Sequence, residues 1–357
     1  MDPLDRADEI RRLDPSGLLD RIRETPARLR DAWREACAFQ PPPAYRDVRR
    51  VLVLGMGGSA LGGDLVRALA DREGTVPVSV HRGYGLPAWA DARTLVLASS
   101  YSGATEETLS GLRAALAAGC PAVAVCTGGP MAALAAEHGV PLLRFAYDAP
   151  PRAAIAYSFA CLLAVVTRLG LLPDPGDALA DAAAAMEETA REVDAAVPAT
   201  RNPAKALARR LQGRLPVVYG AEFLAPVAYR WRTQLNENAE VWAFSEELPE
   251  ANHNSIVGYG RPAGLLPSLA AVFLRSPLLH PRVLARYDAT AEELARAGVE
   301  HVTVEARGRG AMAHMLSALL LGDFVSYYLA ALNGVDPAAM SPLVALKERL
   351  ARQGPTG

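Results

Sequence analysis

Two stretches of the chain could hold an anion without a lysine or an arginine. The first is Gly55-Met56-Gly57-Gly58-Ser59-Ala60, set between a short apolar run and an amphipathic one. Glycines there let the backbone approach a ligand and aim N–H groups at it, and the start of a helix adds partial positive charge. Three readings fit this loop: a dinucleotide turn, a nucleotide P-loop, and a tight turn with no ligand. The G-x-G-x-x-A spacing suits the first, which calls for an acidic residue about 20 positions on. The second apolar run ends instead in His81-Arg82. A P-loop needs Gly-Lys-Ser/Thr, which is absent. The second stretch is Ser99-Ser100-Tyr101-Ser102-Gly103-Ala104-Thr105-Glu106-Glu107-Thr108. A capping box needs only one hydroxyl followed by an acid. Here the hydroxyls are clustered at the carboxyl end of a strand, where open α/β sheets bind ligands. Two such loops suggest one anion held between them.

Four further side chains stand out. Arg152 follows Pro150-Pro151 at a helix start, where a cation opposes the helix dipole and needs a partner. Glu237 lies between Asn236 and Asn238 at a helix end, where amides favour leaving the helix. A solvated terminus is the ordinary reading. His253, one of six histidines, sits in Asn252-His253-Asn254, and a lone histidine is more often structural than catalytic. Of the 37 basic residues only Lys205 and Lys347 are lysines. Arginine serves the surface, so a lysine is either chance or a place where an amine of tunable pKa is required, and for Lys347 the ordinary reading is a surface charge.

Strand–helix alternation positions these groups. Residues 1–40 read as two helices before Pro41-Pro42-Pro43. Strands are expected at Val51–Leu54, Val76–Val80, Thr94–Ala98, Ala122–Val125 and Pro141–Leu143, the first and third followed by helices to about Asp71 and Ala118. A helix over Ala153–Leu171 precedes the linker Leu172-Pro173-Asp174-Pro175-Gly176. Helices over Asp177–Val197 and Asn202–Gln212 follow. The pattern then restarts with Leu215–Gly220, a helix through about Asn236, and strands near Val241, Ala270–Leu274 and His301–Val304. Short buried strands between helices mean parallel sheets covered on both faces. The expected division is a helical segment 1–45, an α/β domain 46–172, a helical linker 173–212 and a second α/β domain 213–357.

Composition excludes other classes. Half of the 357 residues (51%) are hydrophobic and 21% are charged, which is not a disordered chain. A net charge of −2 offers no global field for nucleic acid. The start Met1-Asp2-Pro3-Leu4-Asp5 has neither the basic nor the apolar region of a signal peptide. The run Ala153–Val166 is too short for a bilayer, which needs about 20 residues, and Ala311–Leu332 carries Asp323 in its middle. Both read as buried core helices. Cys37, Cys120, Cys126 and Cys161 show no metal-type spacing and fit scattered thiols in the cytoplasm. No metal, no cofactor, no nucleic acid and no membrane are expected.

The pairing of GMGGSALGG with SSYSGATEET resembles the sugar isomerase (SIS) domain. With PPRAAIAYSF, QLNENAE, ANHNSIVG, and GVDP before LKERL, the ordered set resembles the bifunctional phosphoglucose/phosphomannose isomerase family over about residues 50–350. The resemblance implies two SIS-type domains, each a three-layer αβα unit, and a homodimer. It implies a metal-independent aldose–ketose isomerase that interconverts glucose 6-phosphate and mannose 6-phosphate with fructose 6-phosphate through a cis-enediol. Gly58, Ser59, Ser100, Ser102 and Thr105 would hold the phosphate. Glu237 would move the proton between C1 and C2, and Arg152 would steady the enediolate. His253, reaching in from the partner subunit, and Lys347 would open the sugar ring.

Two positions depart from the family pattern: Ser255 stands where Glu is usual, and Ala338 where Thr is usual. That Thr is associated with accepting either configuration at C2, so mannose 6-phosphate is expected to be the poorer substrate. The rival readings are a sugar-phosphate-binding SIS protein without turnover, an isomerase of amino sugar phosphates, and a dinucleotide enzyme.

Overall fold

The strands lie in two separate parallel sheets, each wrapped in helices. They belong to a computed structural model that describes residues 2–352. Helices α1 (Ala7–Leu13) and α2 (Leu18–Ala36) lead in. The first sheet comprises β1 (Arg50–Leu54), β2 (Val78–His81), β3 (Thr94–Ser100), β4 (Ala122–Cys126) and β5 (Leu142–Arg144). Its helices are α3 (Gly57–Glu73), α4 (Glu106–Ala117), α5 (Gly129–Glu137) and α6 (Ile155–Arg168). Helices α7 (Gly176–Val193) and α8 (Pro203–Leu211) connect it to the second sheet: β6 (Leu215–Ala221), β7 (Phe244–Leu248), β8 (Leu269–Arg275) and β9 (Glu300–Glu305). That sheet carries α9 (Ala225–Ala239), α10 (Pro281–Arg296), α11 (Ala311–Asn333) and α12 (Ser341–Ala351).

The strand orders are β2-β1-β3-β4-β5 and β7-β6-β8-β9, all neighbours parallel. In both sheets the first strand of the unit lies between the second and the third. The chain therefore leaves adjacent central strands in opposite directions, opening a crevice at their carboxyl ends. Alternation along the strands makes the layers. Val51, Val53, Leu95 and Leu97 face the core shared with α3 and α6, whereas Leu52, Leu54, Val96 and Ala98 face α4 and α5. The first of these cores runs without interruption from the first sheet into the second.

Helix α11 is long and apolar enough to cross a bilayer, yet most of it is buried against α7, α8 and α9. It is the central core helix, as its inner Asp323 suggests. Gly322 lets it approach α9, because any side chain there would strike the Trp231 ring. Asp323 takes a bidentate pair of bonds from Arg230 of α9, both at 3.1 Å. The second Arg230 nitrogen also donates to the Arg152 carbonyl at 2.9 Å, so one buried ion pair ties the two halves together. Burial pushes the Asp323 carboxyl up, and Arg230 pulls it back.

Lys205 has a structural use. Its ammonium is fully buried and donates to Asp5 (2.9 Å) and to the Ala195 (2.9 Å) and Val197 (2.8 Å) carbonyls. Three acceptors around one point suit an ammonium better than a planar guanidinium.

Several boundaries differ from expectation. The strand expected near Val241 begins at Phe244, because α9 runs to Ala239 and ends with Glu240 in the left-handed region. The Val241 N–H is spent on the Leu235 carbonyl in that cap. Strand β3 extends through Ser99 and Ser100, which pair with Val125 and Cys126. Arg152 lies in a one-turn 3-10 helix, Pro151–Ala154, rather than in α6 itself.

Asp323→Ala would leave the Arg230 charge buried without its partner. Denaturant unfolding should then register a loss of about 3–5 kcal/mol, and a well-packed apolar replacement of both residues should lose less. A variant as stable as the parent chain would show that the ion pair is not what joins the halves.

Candidate active site

The crevice at the carboxyl ends of β1 and β3 opens into a cavity of about 370 Å³ between the two halves. Gly58, Ser59, Ser102, Thr105 and Arg152 line it from the first half, and Tyr229, Arg230, Thr233, Glu237 and Lys347 from the second. Positions 230, 233 and 237 share one face of α9, and Leu343 and Lys347 share one face of α12.

The two loops are joined to each other. The Tyr101 N–H donates to Ser59 Oγ at 3.2 Å. Neither α3 nor α4 has a side-chain cap, so the first N–H groups of two helices face the crevice without a hydrogen-bonded carboxylate, although Glu107 of the first turn of α4 also lines the cavity. Gly103 must be glycine: its φ is +63°, and a side chain would collide with the Gly128 carbonyl.

Tyr101 also braces the segment that leads to Arg152. Its hydroxyl donates to the Tyr147 carbonyl at 2.6 Å and accepts from the Ala149 N–H at 3.2 Å. Arg152 is only 4% exposed. Its Nη1 donates to Asn238 Oδ1 (3.0 Å) and its Nη2 to the Ala338 carbonyl (2.9 Å). The Glu237 carboxylate stands 3.8 Å from Nη1, close enough for strong attraction but not hydrogen-bonded. Burial pushes the guanidinium pKa down, and the Glu237 charge opposes that shift. Arg152 Nε is buried without a partner. A cation beside a carboxylate, facing a doubled anion cradle, can stabilise negative charge while a proton is moved nearby.

Seven of the nine candidate residues thus line one cavity: Gly58, Ser59, Ser102, Thr105, Arg152, Glu237 and Lys347. Ser100 lies behind its wall. As the last residue of β3 it is buried, its Oγ within 2.9 Å of Thr105 Oγ1 and accepting from the Gly103 N–H at 3.1 Å. It shapes the loop from beneath. His253 lies outside the cavity on an exposed 3-10 turn. Its neighbours are pinned, Asn252 Nδ2 to Thr290 Oγ1 and Asn254 Nδ2 to Glu250 Oε1, both at 2.8 Å, which leaves the imidazole facing outward.

Residue types alone did not reveal Asn238, Arg230 or Tyr229. Arg230 and Asp323 are 93 positions apart, so their bond has no local signature; the charge inside an apolar helix was the available signal. Asn238 was visible only as a flank of Glu237. Among the described residues no three His, Cys, Asp or Glu side chains are grouped so that they could hold a metal ion.

Residues 200–350 match the bacterial phospho-glucose isomerase C-terminal SIS domain. The chain is 34% identical over 336 residues to the bifunctional phosphoglucose/phosphomannose isomerase of Caldicellulosiruptor bescii, covering 94% of this chain and 99% of that one. It is 32% identical to the enzyme of the same description from Aquifex aeolicus, over 84% of this chain and 90% of the other. A crystal structure of a glucose-6-phosphate isomerase-like protein from Thermus thermophilus superposes with a TM-score of 0.64 at 22% identity, covering 98% of this chain and 99% of that one. Two parallel sheets flanked by helices, with SIS-type units, are thereby accounted for, and the chain belongs to the bifunctional phosphoglucose/phosphomannose isomerase family.

Proposed function

We propose that the protein is an aldose–ketose isomerase that interconverts glucose 6-phosphate and mannose 6-phosphate with fructose 6-phosphate. The observation that carries this reading is the Arg152–Glu237 pair set across one cavity from the two anion loops. Gly58, Ser59, Ser102 and Thr105 receive the phosphate, and Ser100 supports them by holding Thr105 and Gly103. The dianion accepts hydroxyl and backbone donors at two helix starts. Lys347 and His253 open the sugar ring by proton transfer.

Glu237 then removes the C2 proton of the open aldose. Negative charge moves to the C1 oxygen, where Arg152 stabilises it; that oxygen takes up a proton as the C2 hydroxyl gives one up, and Glu237 returns its proton to C1 of the cis-enediol, leaving the C2 carbonyl. The reverse direction uses the same groups. No metal and no cofactor is required for these steps. We read residues 46–172 and 213–357 as the two SIS-type units, and the cytoplasm as the compartment, in keeping with four free thiols.

His253 is assigned to the neighbouring subunit's cavity in a homodimer. Its outward position supports this, and so does the unburied apolar surface on the same half: Trp242 is 73% exposed and Val257 88%. Helix α12 adds Leu343, Leu346 and Leu350, all exposed.

Three measurements test the proposal. Glu237→Gln should still bind glucose 6-phosphate but lose exchange of its C2 proton with solvent, with turnover down about 10²–10⁴-fold. Isomerisation within about tenfold of the parent enzyme would remove Glu237 as the base.

Inactive Glu237→Gln and inactive His253→Ala chains, mixed and allowed to exchange, should regain activity. A mixed dimer gathers both lesions in one cavity and leaves the other whole. No recovery after demonstrated subunit exchange would place His253 in its own chain's reaction or in none.

With EDTA present, both aldose 6-phosphates should be converted. Ala338 lacks a hydroxyl whose hydrogen bond is worth about 0.5–1.5 kcal/mol, so mannose 6-phosphate should lag by about three- to tenfold. Ala338 adjoins the reaction centre through its carbonyl, which Arg152 holds. Strict glucose specificity would refute the double activity, and dependence on an added divalent metal would refute the mechanism.

A further inference from the structure

Asn238 is fully buried one residue beyond Glu237, and a directional relay fixes its amide. Ser326 Oγ donates to the Asp323 carbonyl at 2.8 Å, so only its lone pairs remain for Asn238. Asn238 Nδ2 donates to that oxygen at 2.9 Å. Its Oδ1 must then face the other way, where it accepts from Arg152 Nη1 at 3.0 Å. The second acceptor on Arg152, the Ala338 carbonyl, is also neutral. We infer that Asn238 is a positioning residue that holds Arg152 by a neutral acceptor, so that no carboxylate hydrogen-bonded to the guanidinium offsets its charge toward the substrate. The inference rests on the isomerase reading above.

The alternative would be chemically ordinary. Carboxylates are the usual partners of buried arginines. Aspartate at 238 could keep both contacts if Ser326 turned its proton toward the second oxygen. It would also place a compensating charge in direct contact with Arg152. In a buried site that charge would offset much of the attraction for an enediolate. The new carboxylate would stand near Glu237 as well. The charged groups around Glu237 are Arg152 at 3.8 Å, with Arg230 of α9, Lys347 of α12 and Glu107 of α4 in the same cavity and Glu240, just past α9, in the adjoining pocket. Asp336, in the turn before α12, also acts on Arg152 through its charge. Adding one more negative charge to this set would oppose ionisation of Glu237.

The experiment compares the parent enzyme, Asn238→Asp and Ser326→Ala, with fructose 6-phosphate as substrate across pH. Asn238→Asp should lower kcat by about tenfold or more with KM nearly unchanged, the pattern of an interaction made in the transition state. The acid limb of its kcat profile should move to higher pH by about one unit. Ser326→Ala frees the amide without adding charge, and should lower kcat by about threefold or more with the acid limb in place. An Asn238→Asp enzyme with parental kcat and an unmoved limb overturns the inference alone. If that variant does not fold, Ser326→Ala decides: reduced kcat at unchanged KM supports the inference and parental kcat overturns it. An inactive parent enzyme overturns the isomerase reading, and this inference with it.

Discussion

Holding the Arg152 guanidinium out of water is the constraint around which the two halves are arranged. Removing an arginine side chain from solvent costs several kcal/mol unless its donors are met. Here the two terminal nitrogens are met from the second half, by Asn238 on α9 and by the carbonyl of Ala338 beyond α11, while Nε stays buried without a partner. The Arg152 backbone is met from the same side, by Arg230, which Asp323 holds in turn. Neither half can satisfy this residue alone. The continuous apolar core supplies the bulk of the adhesion between them, and the polar chain within it fixes their register.

The two halves repeat one topology but do not divide the chemistry equally. In the first sheet, the crevice between the central strands is walled by glycine and hydroxyl loops, with two uncapped helices aimed at it. In the second sheet the same position holds Glu222 directly after β6, at a φ of +49°. Its carboxylate accepts the N–H of His280, the residue that opens α10. There a carboxylate already occupies a backbone N–H at the start of the helix, the kind of donor that in the first crevice is left open. The second half contributes instead through α9, whose cavity face carries Arg230, Thr233 and Glu237.

What could be read from the sequence follows the range of the interaction. The glycine loop, the hydroxyl loop and the strand–helix alternation are local, and the structure places them where their patterns indicate. Asp323 could be seen as an anomaly but not paired, because Arg230 lies 93 positions away. Ser100 reads as part of the loop because hydroxyl residues carry no mark of where a strand ends. Its register partner Cys126 shows that the ladder continues through it. Val241 misleads for the opposite reason: a β-branched residue after a helix looks like a strand, yet its N–H closes the α9 cap.

Lys347 poses the last physical question. The residues of α12 from Ser341 to Leu350 are all exposed, so packing within one chain gives this helix little anchorage. The ring-opening role proposed for this amine calls for a fixed position and a setting partly withdrawn from water. Leu343, Leu346 and Leu350 lie along the same side of the helix as Lys347, at the spacing of a packing stripe. In the proposed homodimer, a partner covering that stripe would anchor the helix and withdraw Lys347 from water at once. The same contact would supply the exposed His253 with a neighbouring cavity to enter. Ring opening, which the proposal assigns to both residues, is then the step that a single chain is least equipped to perform, whereas Arg152 and Glu237 are already in place within one chain.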